Sequence, residues 1–137
     1  MTDRIFVDTN LWVYLFSDEV EKRRSVCELI RENFKNVYIS SQVLGELFNV
    51  LTKKGITGLE KAQRIVDKIS DDFSVVSIDK EIVKEAITLK LRYGYTYWDS
   101  LIIAGALNVK ARTLYTEDLH HNQTIENELK VLNPFIR

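Results

Sequence analysis

Arg4-Ile5-Phe6-Val7-Asp8-Thr9-Asn10-Leu11-Trp12-Val13-Tyr14-Leu15-Phe16 is the stretch on which the reading of this chain turns. A short apolar, β-prone run stops at a carboxylate, and a helix-like apolar segment follows. Such a run reads as a buried strand. In open α/β sheets, ligands and reactive groups gather outside the carboxyl ends of the strands, where strand order reverses. Asp8 stands at such an end. Asp and Asn also cap helices and make turns, the commoner role for an isolated Asp, so a functional reading requires further acids elsewhere.

Outward from this stretch, strand-like and helix-like segments alternate. Asp18-Glu19-Val20-Glu21 resembles an acidic capping box and opens a helix to about Asn33. A second strand is expected at 37–39, a helix from Ser40-Ser41 to about Lys53, a break at 55–58 and a helix over 59–70. The third strand is expected over 73–78; Asp79 caps a helix to about Tyr93, another starts at Thr96, and strands four and five lie at 113–115 and 130–132. Strands separated by helices imply right-handed crossovers and a parallel sheet covered on both faces. The expected fold is therefore one α/β domain over 1–137, a three-layer α/β/α sandwich around a central parallel five-stranded sheet.

With 137 residues, 45% of them hydrophobic, the chain can bury a core of one-domain size. Nineteen Lys and Arg against twenty Asp and Glu exclude a generally basic polyanion binder, so nucleic-acid contacts would come from local patches. Lys22-Arg23-Arg24, Lys53-Lys54, Arg92, Lys110 and Arg112 are the candidates. The lone Cys27 excludes an intramolecular disulfide and is expected to pack on a helix face with Val20, Ile30 and Phe34. Met1 to Arg4 lead straight into the first strand and Asp8 interrupts any signal-peptide core, so secretion is not expected. The longest apolar run, 101–107, is far short of the roughly 20 residues of a membrane span. A soluble, cytoplasmic protein without membrane contact is the expectation.

Three further acids stand out. In Gln42-Val43-Leu44-Gly45-Glu46-Leu47-Phe48-Asn49-Val50-Leu51, Glu46 borders the apolar helix face beside Val50 instead of opposing it, so its carboxylate can edge the core near a strand end. Asp99 occupies the first turn of a helix apolar on every side, near the positive end of its dipole. Thr96 and Asp99 also have capping-box spacing, and the two roles can coexist. In Leu114-Tyr115-Thr116-Glu117-Asp118-Leu119 a strand again ends in acids. Alternation puts Thr116 and Asp118 on one side and Glu117 on the other, which favours Asp118. His120 and His121 lack metal-ligand spacing and read as loop residues or substrate contacts. Carboxylates gathered from four segments repel one another unless a cation is present, and oxygen-only ligation suits Mg²⁺ or Mn²⁺ and phosphoryl chemistry.

Phe6-Val7-Asp8-Thr9-Asn10, Glu46, Tyr97-Trp98-Asp99-Ser100-Leu101-Ile102-Ile103-Ala104 and Leu114-Tyr115-Thr116-Glu117-Asp118-Leu119 together resemble the four motif blocks of PIN domains. In order, spacing and length the chain looks most like the VapC-type ribonuclease toxins of toxin-antitoxin modules. Gly105 departs from the Ala common in such helices. The resemblance implies sheet order 3-2-1-4-5 and a metal-dependent endoribonuclease in which Asp8, Glu46, Asp99 and Asp118 are catalytic and hold Mg²⁺ or Mn²⁺, with Asn10 and Thr116 supporting them. It also implies an RNA substrate, a small antitoxin partner and a homodimer. A non-catalytic RNA- or protein-binding module of the same fold and a standalone RNA-processing nuclease remain alternatives.

No Ser or Cys has a His and an acid at triad spacing, so a side-chain nucleophile is not expected. A receiver domain would need an acidic neighbour beside Asp8, and a haloacid-type phosphatase an Asp where Asn10 stands. Tyr95 and Tyr97 are candidate base-stacking platforms, and a strip around Trp12 and Phe16 is a candidate surface for self-association or antitoxin binding.

Overall fold

Successive residues of a strand face opposite sides of its sheet, so a strand whose every residue is buried must be covered on both faces. The computed structural model, which describes residues 3–136, has such a strand in β1, Ile5–Val7. β1 runs parallel to β2 (Val37–Ser40) on one side and to β4 (Thr113–Tyr115) on the other, with Ile5 opposite both Val37 and Thr113. β3 (Ser74–Val76) adds to β2 in parallel, and β6 (Leu129–Leu132) to β4. The parallel order therefore agrees with 3-2-1-4-5, the fifth expected strand being β6.

The strand count needs a correction. β5, Thr124–Ile125, pairs antiparallel with β6 and completes a six-stranded sheet of order β3-β2-β1-β4-β6-β5. Its turn places Glu126 and Asn127 at φ 53° and 57°, with the Glu128 amide donating to the Ile125 carbonyl at 3.1 Å. Two left-handed residues at the centre of a tight turn suit the twist of a hairpin. Two strand residues are too few to show alternation, and Glu is an unusual occupant of that conformation.

Helices α1 (Thr9–Tyr14), α2 (Val20–Glu32), α3 (Ser41–Lys53), α4 (Leu59–Asp72), α5 (Lys80–Tyr93) and α6 (Tyr97–Asn108) make the crossovers. Ser40 caps α3 by accepting from the Val43 amide, and Asp79 caps α5 by accepting from the Ile82 amide at 3.0 Å. α5 ends at Gly94, whose φ of 80° releases the chain in a left-handed turn. The acidic box expected before α2 does not form, since Glu19 makes no side-chain cap. α6 is buried from Ser100 through Ala106, as its continuous apolar run requires. A Cβ on Gly105 would meet the Phe6 ring and Ser40 at ordinary contact distance, 3.7 Å, so Ala at this position would fit.

Trp12 and Cys27 depart from expectation. Trp12 is a core residue, 1% exposed, with its indole N–H donating to the Val7 carbonyl at 3.0 Å and its ring edge-on to Phe73, so it cannot present an association surface. Phe16 is half-buried. Cys27 is exposed because the buried stripe of α2 is Val26 and Ile30; Val20 and Phe34, the expected neighbours, are also exposed. Among the described residues, no helix is long and apolar enough to cross a membrane.

Candidate active site

Asp8 continues the sheet by one hydrogen bond, its amide donating to the Tyr115 carbonyl at 3.0 Å, and then starts α1 as its N-cap. Its Oδ1 accepts from the Thr9 amide at 2.7 Å and its Oδ2 from the Thr116 hydroxyl at 2.8 Å. The Thr116 oxygen in turn accepts from the Asn10 amide group at 3.2 Å and from the Asp118 backbone N–H at 3.1 Å. Asn10 also donates to Asp118 Oδ2 at 2.8 Å. The residues after β1 and those after β4 are thus joined by one polar network at adjacent strand ends.

Glu46 reaches the same place from the second turn of α3. The Thr9 hydroxyl donates to its Oε1 at 2.6 Å and the Gln42 amide group to its Oε2 at 3.2 Å. Gln42 Nε2 also lies 3.2 Å from the Trp98 carbonyl, which fastens α3 to the start of α6. Asp99 sits in that first turn with its amide donating to the Thr96 hydroxyl at 3.1 Å, so the capping geometry is present and leaves the carboxylate on the cleft. Asp8, Glu46, Asp99 and Asp118 all line one cleft of about 570 Å³, along with Asn10, Asn49, Lys54, Trp98 and Glu117.

Burial and like charge both act on Asp8 and Asp99. Asp8 is raised from 3.8 to about 7, mainly by burial; the bonds from Thr116 and Thr9 oppose the rise, and the charges of Asp118 and Glu46 add to it. Asp99 is raised for the same reasons, burial first, with Thr96 opposing and Asp118 and Glu46 adding. Glu117 rims the cleft but is otherwise engaged: it accepts from the Tyr14 hydroxyl and pairs with Lys22 at 3.5 Å. Lys22 lies over the rings of Tyr14 and Phe135, at 4.8 and 5.0 Å.

The donor set suits a hard divalent cation. It consists of oxygens, Asp8 is raised by burial first and by the charges of Asp118 and Glu46 second, and among the described residues the buried Asn10 Oδ1 has no hydrogen-bond partner. Among the described residues no three His, Cys, Asp or Glu side chains stand close enough together to hold a metal ion as they are placed. Mg²⁺ does not require three, because it keeps several waters and binds through one or two carboxylates.

Sequence reasoning missed Thr9 and Gln42, which orient Glu46; the four-residue spacing of Gln42 and Glu46 on one helix face was the available signal. The two tyrosines singled out in the sequence stand off the cleft. Tyr95 donates to Gln123 at 2.6 Å and stacks on Tyr93, and Tyr97 packs against the core, so neither lines the cleft, whereas Trp98 does. His121 accepts from the Asn133 amide through Nδ1, a loop role, and His120 is an exposed loop residue that does not line the cleft. Of the basic candidates only Lys54 lines the cleft, while Lys22 and Arg92 are paired with Glu117 and Glu126.

No curated protein matches the chain. Among solved structures, it resembles VapC20 of Mycobacterium tuberculosis, a sarcin-ricin loop cleaving toxin, with a TM-score of 0.69 and 21% identity over 83% of this chain and 91% of that one. A toxin-antitoxin complex from Klebsiella pneumoniae has a TM-score of 0.72 and 20% identity, covering 96% of this chain and 98% of that one. VapBC2 of Rickettsia felis, bound to a DNA fragment from its promoter, gives 0.67 and 22% over 94% and 98%. At these identities the likeness is one of fold. The PIN domain family, however, matches residues 5–126, which include all four acids and both polar residues that join them, and the chain belongs to that family.

Proposed function

We propose that the protein is a metal-dependent endoribonuclease that hydrolyses RNA phosphodiester bonds as the toxin of a toxin-antitoxin module. The observation that carries this reading is the delivery of Asp8, Glu46, Asp99 and Asp118 by four separate segments to one cleft, where Asp8 is raised to about 7, mainly by burial. These four would hold Mg²⁺ or Mn²⁺, one or two of them directly and the others through the waters the ion keeps, and a cation there would supply water activation and stabilise charge on the phosphoryl oxygens. Thr116 and Thr9 hold Asp8 in place, and Thr9 with Gln42 does the same for Glu46. Asn10 ties Asp118 to Thr116. Asp8 must give up its proton to serve a cation, so affinity for the ion rises with pH through about 7.

The partners proposed are RNA, a small antitoxin protein and a second copy of the chain, in the cytoplasm. The Klebsiella pneumoniae complex and the Rickettsia felis VapBC2 structure support the antitoxin, and VapC20 supports RNA as the substrate. Purified protein should cleave RNA with Mg²⁺ or Mn²⁺, stop in excess chelator and resume when the ion is restored. Cleavage that survives chelation, or an Asp99→Asn variant as active as the parent protein, would overturn the reading.

A further inference from the structure

We infer that Trp98 and Lys54 form a nucleotide subsite flanking the acidic centre, Trp98 stacking on a base and Lys54 pairing with a phosphate beside the one that reacts. The inference rests on the nuclease reading and assigns residues that bind the substrate. Of the two tryptophans, Trp12 is 1% exposed and Trp98 is 62% exposed on the wall of the cleft. Tyr97 meets its ring edge-to-face at 5.0 Å and leaves the indole accessible. Water contact over so much apolar ring is unfavourable, and a base that covers it removes that cost.

The backbone of Trp98 is fixed relative to the acids. Asp99 follows it directly, and the Gln42 amide group that donates to its carbonyl also donates to Glu46. A base stacked there is registered against the reactive centre. Among the described residues Lys54 is the one Lys or Arg lining the cleft, which it shares with six acids, Asp8, Glu19, Glu46, Asp99, Glu117 and Asp118. It has no ion-pair partner among the described residues. It follows α3 two turns beyond Glu46, about 12 Å along the helix axis. Lys54 is thus anchored away from the acids, and its long side chain suits a phosphate other than the one that reacts. A Lys at a helix C-terminus also complements the helix dipole, but that role needs no cleft. A base within a duplex has both faces covered by its neighbours, so the subsite takes an unpaired one.

The test uses fluorescence titrations in Ca²⁺ with an eight-nucleotide single-stranded RNA of mixed sequence and with the same strand fully paired. The single strand should quench the tryptophan emission in the parent protein and not in Trp98→Phe, where only buried Trp12 remains. Trp98→Ala should weaken binding of the single strand roughly tenfold or more with an unchanged salt dependence, Trp98→Phe less so. Lys54→Gln should weaken both probes and lower the slope of log affinity against log salt by about one, with Lys54→Arg restoring it. Equal affinity for both probes, unaltered binding by Trp98→Ala, or no binding of either RNA overturns the subsite. A loss accompanied by a changed sedimentation coefficient would assign the ring to self-association and also overturn it. Quenching lost in Trp98→Phe without any metal-dependent cleavage would sink the nuclease reading alone; cleavage with an unchanged KM in Trp98→Ala would sink the subsite alone.

Discussion

Thr116 has one hydroxyl proton and two lone pairs, and all three are committed, the proton to Asp8 and the lone pairs to N–H groups of Asn10 and Asp118. Thr116→Val removes three hydrogen bonds at a fully buried position and should cost roughly 2 to 4 kcal/mol in a urea titration. It also removes a bond that holds the Asp8 pKa down, so the acid's rise should increase. The sign of the pH dependence follows from Asp8, whose value is 3.8 ordinarily and about 7 in the fold. Between those values the native protein holds a proton that the unfolded chain has lost, so stability from this group is complete at low pH and is lost as pH rises to about 7. In chelator, the melting temperature should fall between pH 5 and pH 8, and Mn²⁺ should raise it more at pH 8 than at pH 6; a flat profile would contradict the burial of Asp8. At the fourth block, Asp118→Asn should weaken Mn²⁺ binding by calorimetry on the order of tenfold or more, the range seen even for groups one step removed from a metal. Glu117→Gln should leave it near the parent value and cost under about 1 kcal/mol, because its carboxylate serves a partly exposed pair with Lys22. β4 ends at Tyr115, so strand alternation does not extend to these two neighbours; their partners differ instead, Tyr14 and Lys22 for Glu117 and Asn10 for Asp118. The hydroxyl of Thr9 was not legible, because its partner Glu46 lies 37 residues away and no local pattern links them.

Helix starts were the clearest signals in the chain. Ser40, Asp79 and Thr96 each accept from the amide of the third helical residue, and each was readable as a small polar residue before an apolar period. The acidic run at 18–21 had the composition of a cap without its geometry, since Glu is a longer side chain than the capping position favours. β5 lay below the level of any pattern, being two residues ended by a turn in which Glu and Asn take a glycine-like conformation. Gly94 supplies a test at this scale. Beyond its two chain neighbours, no atom of the described residues lies within 4 Å of where a Cβ would stand, so Gly94→Ala isolates the backbone cost of a φ of 80°. It should lower stability by about 1 to 2 kcal/mol without altering metal binding. A loss of Mn²⁺ affinity in that variant would show that the α5–α6 corner also positions Asp99.

At the scale of the molecule, the charge is nearly balanced overall and strongly unbalanced in the cleft, which no count over the whole sequence could show. An acidic cleft repels RNA, so binding of a labelled RNA should be weak in chelator and strengthen tenfold or more in Ca²⁺, as read by anisotropy; equal affinity in both would mean that the acids do not face the substrate. Sheet order was legible because apolar strand runs alternate with helices, while the cleft's walls depended on how α3 and α6 pack together, through contacts such as Gln42 to Trp98 across 56 residues. The sheet's two outer strands are β3, three residues long, and β5, two residues long. Few unpaired backbone amides are therefore offered at either margin, and strand-by-strand accretion of further chains, the route to cross-β aggregates, has almost no template to start from. A protein that binds this one tightly must grip its side-chain surfaces instead of lengthening its sheet.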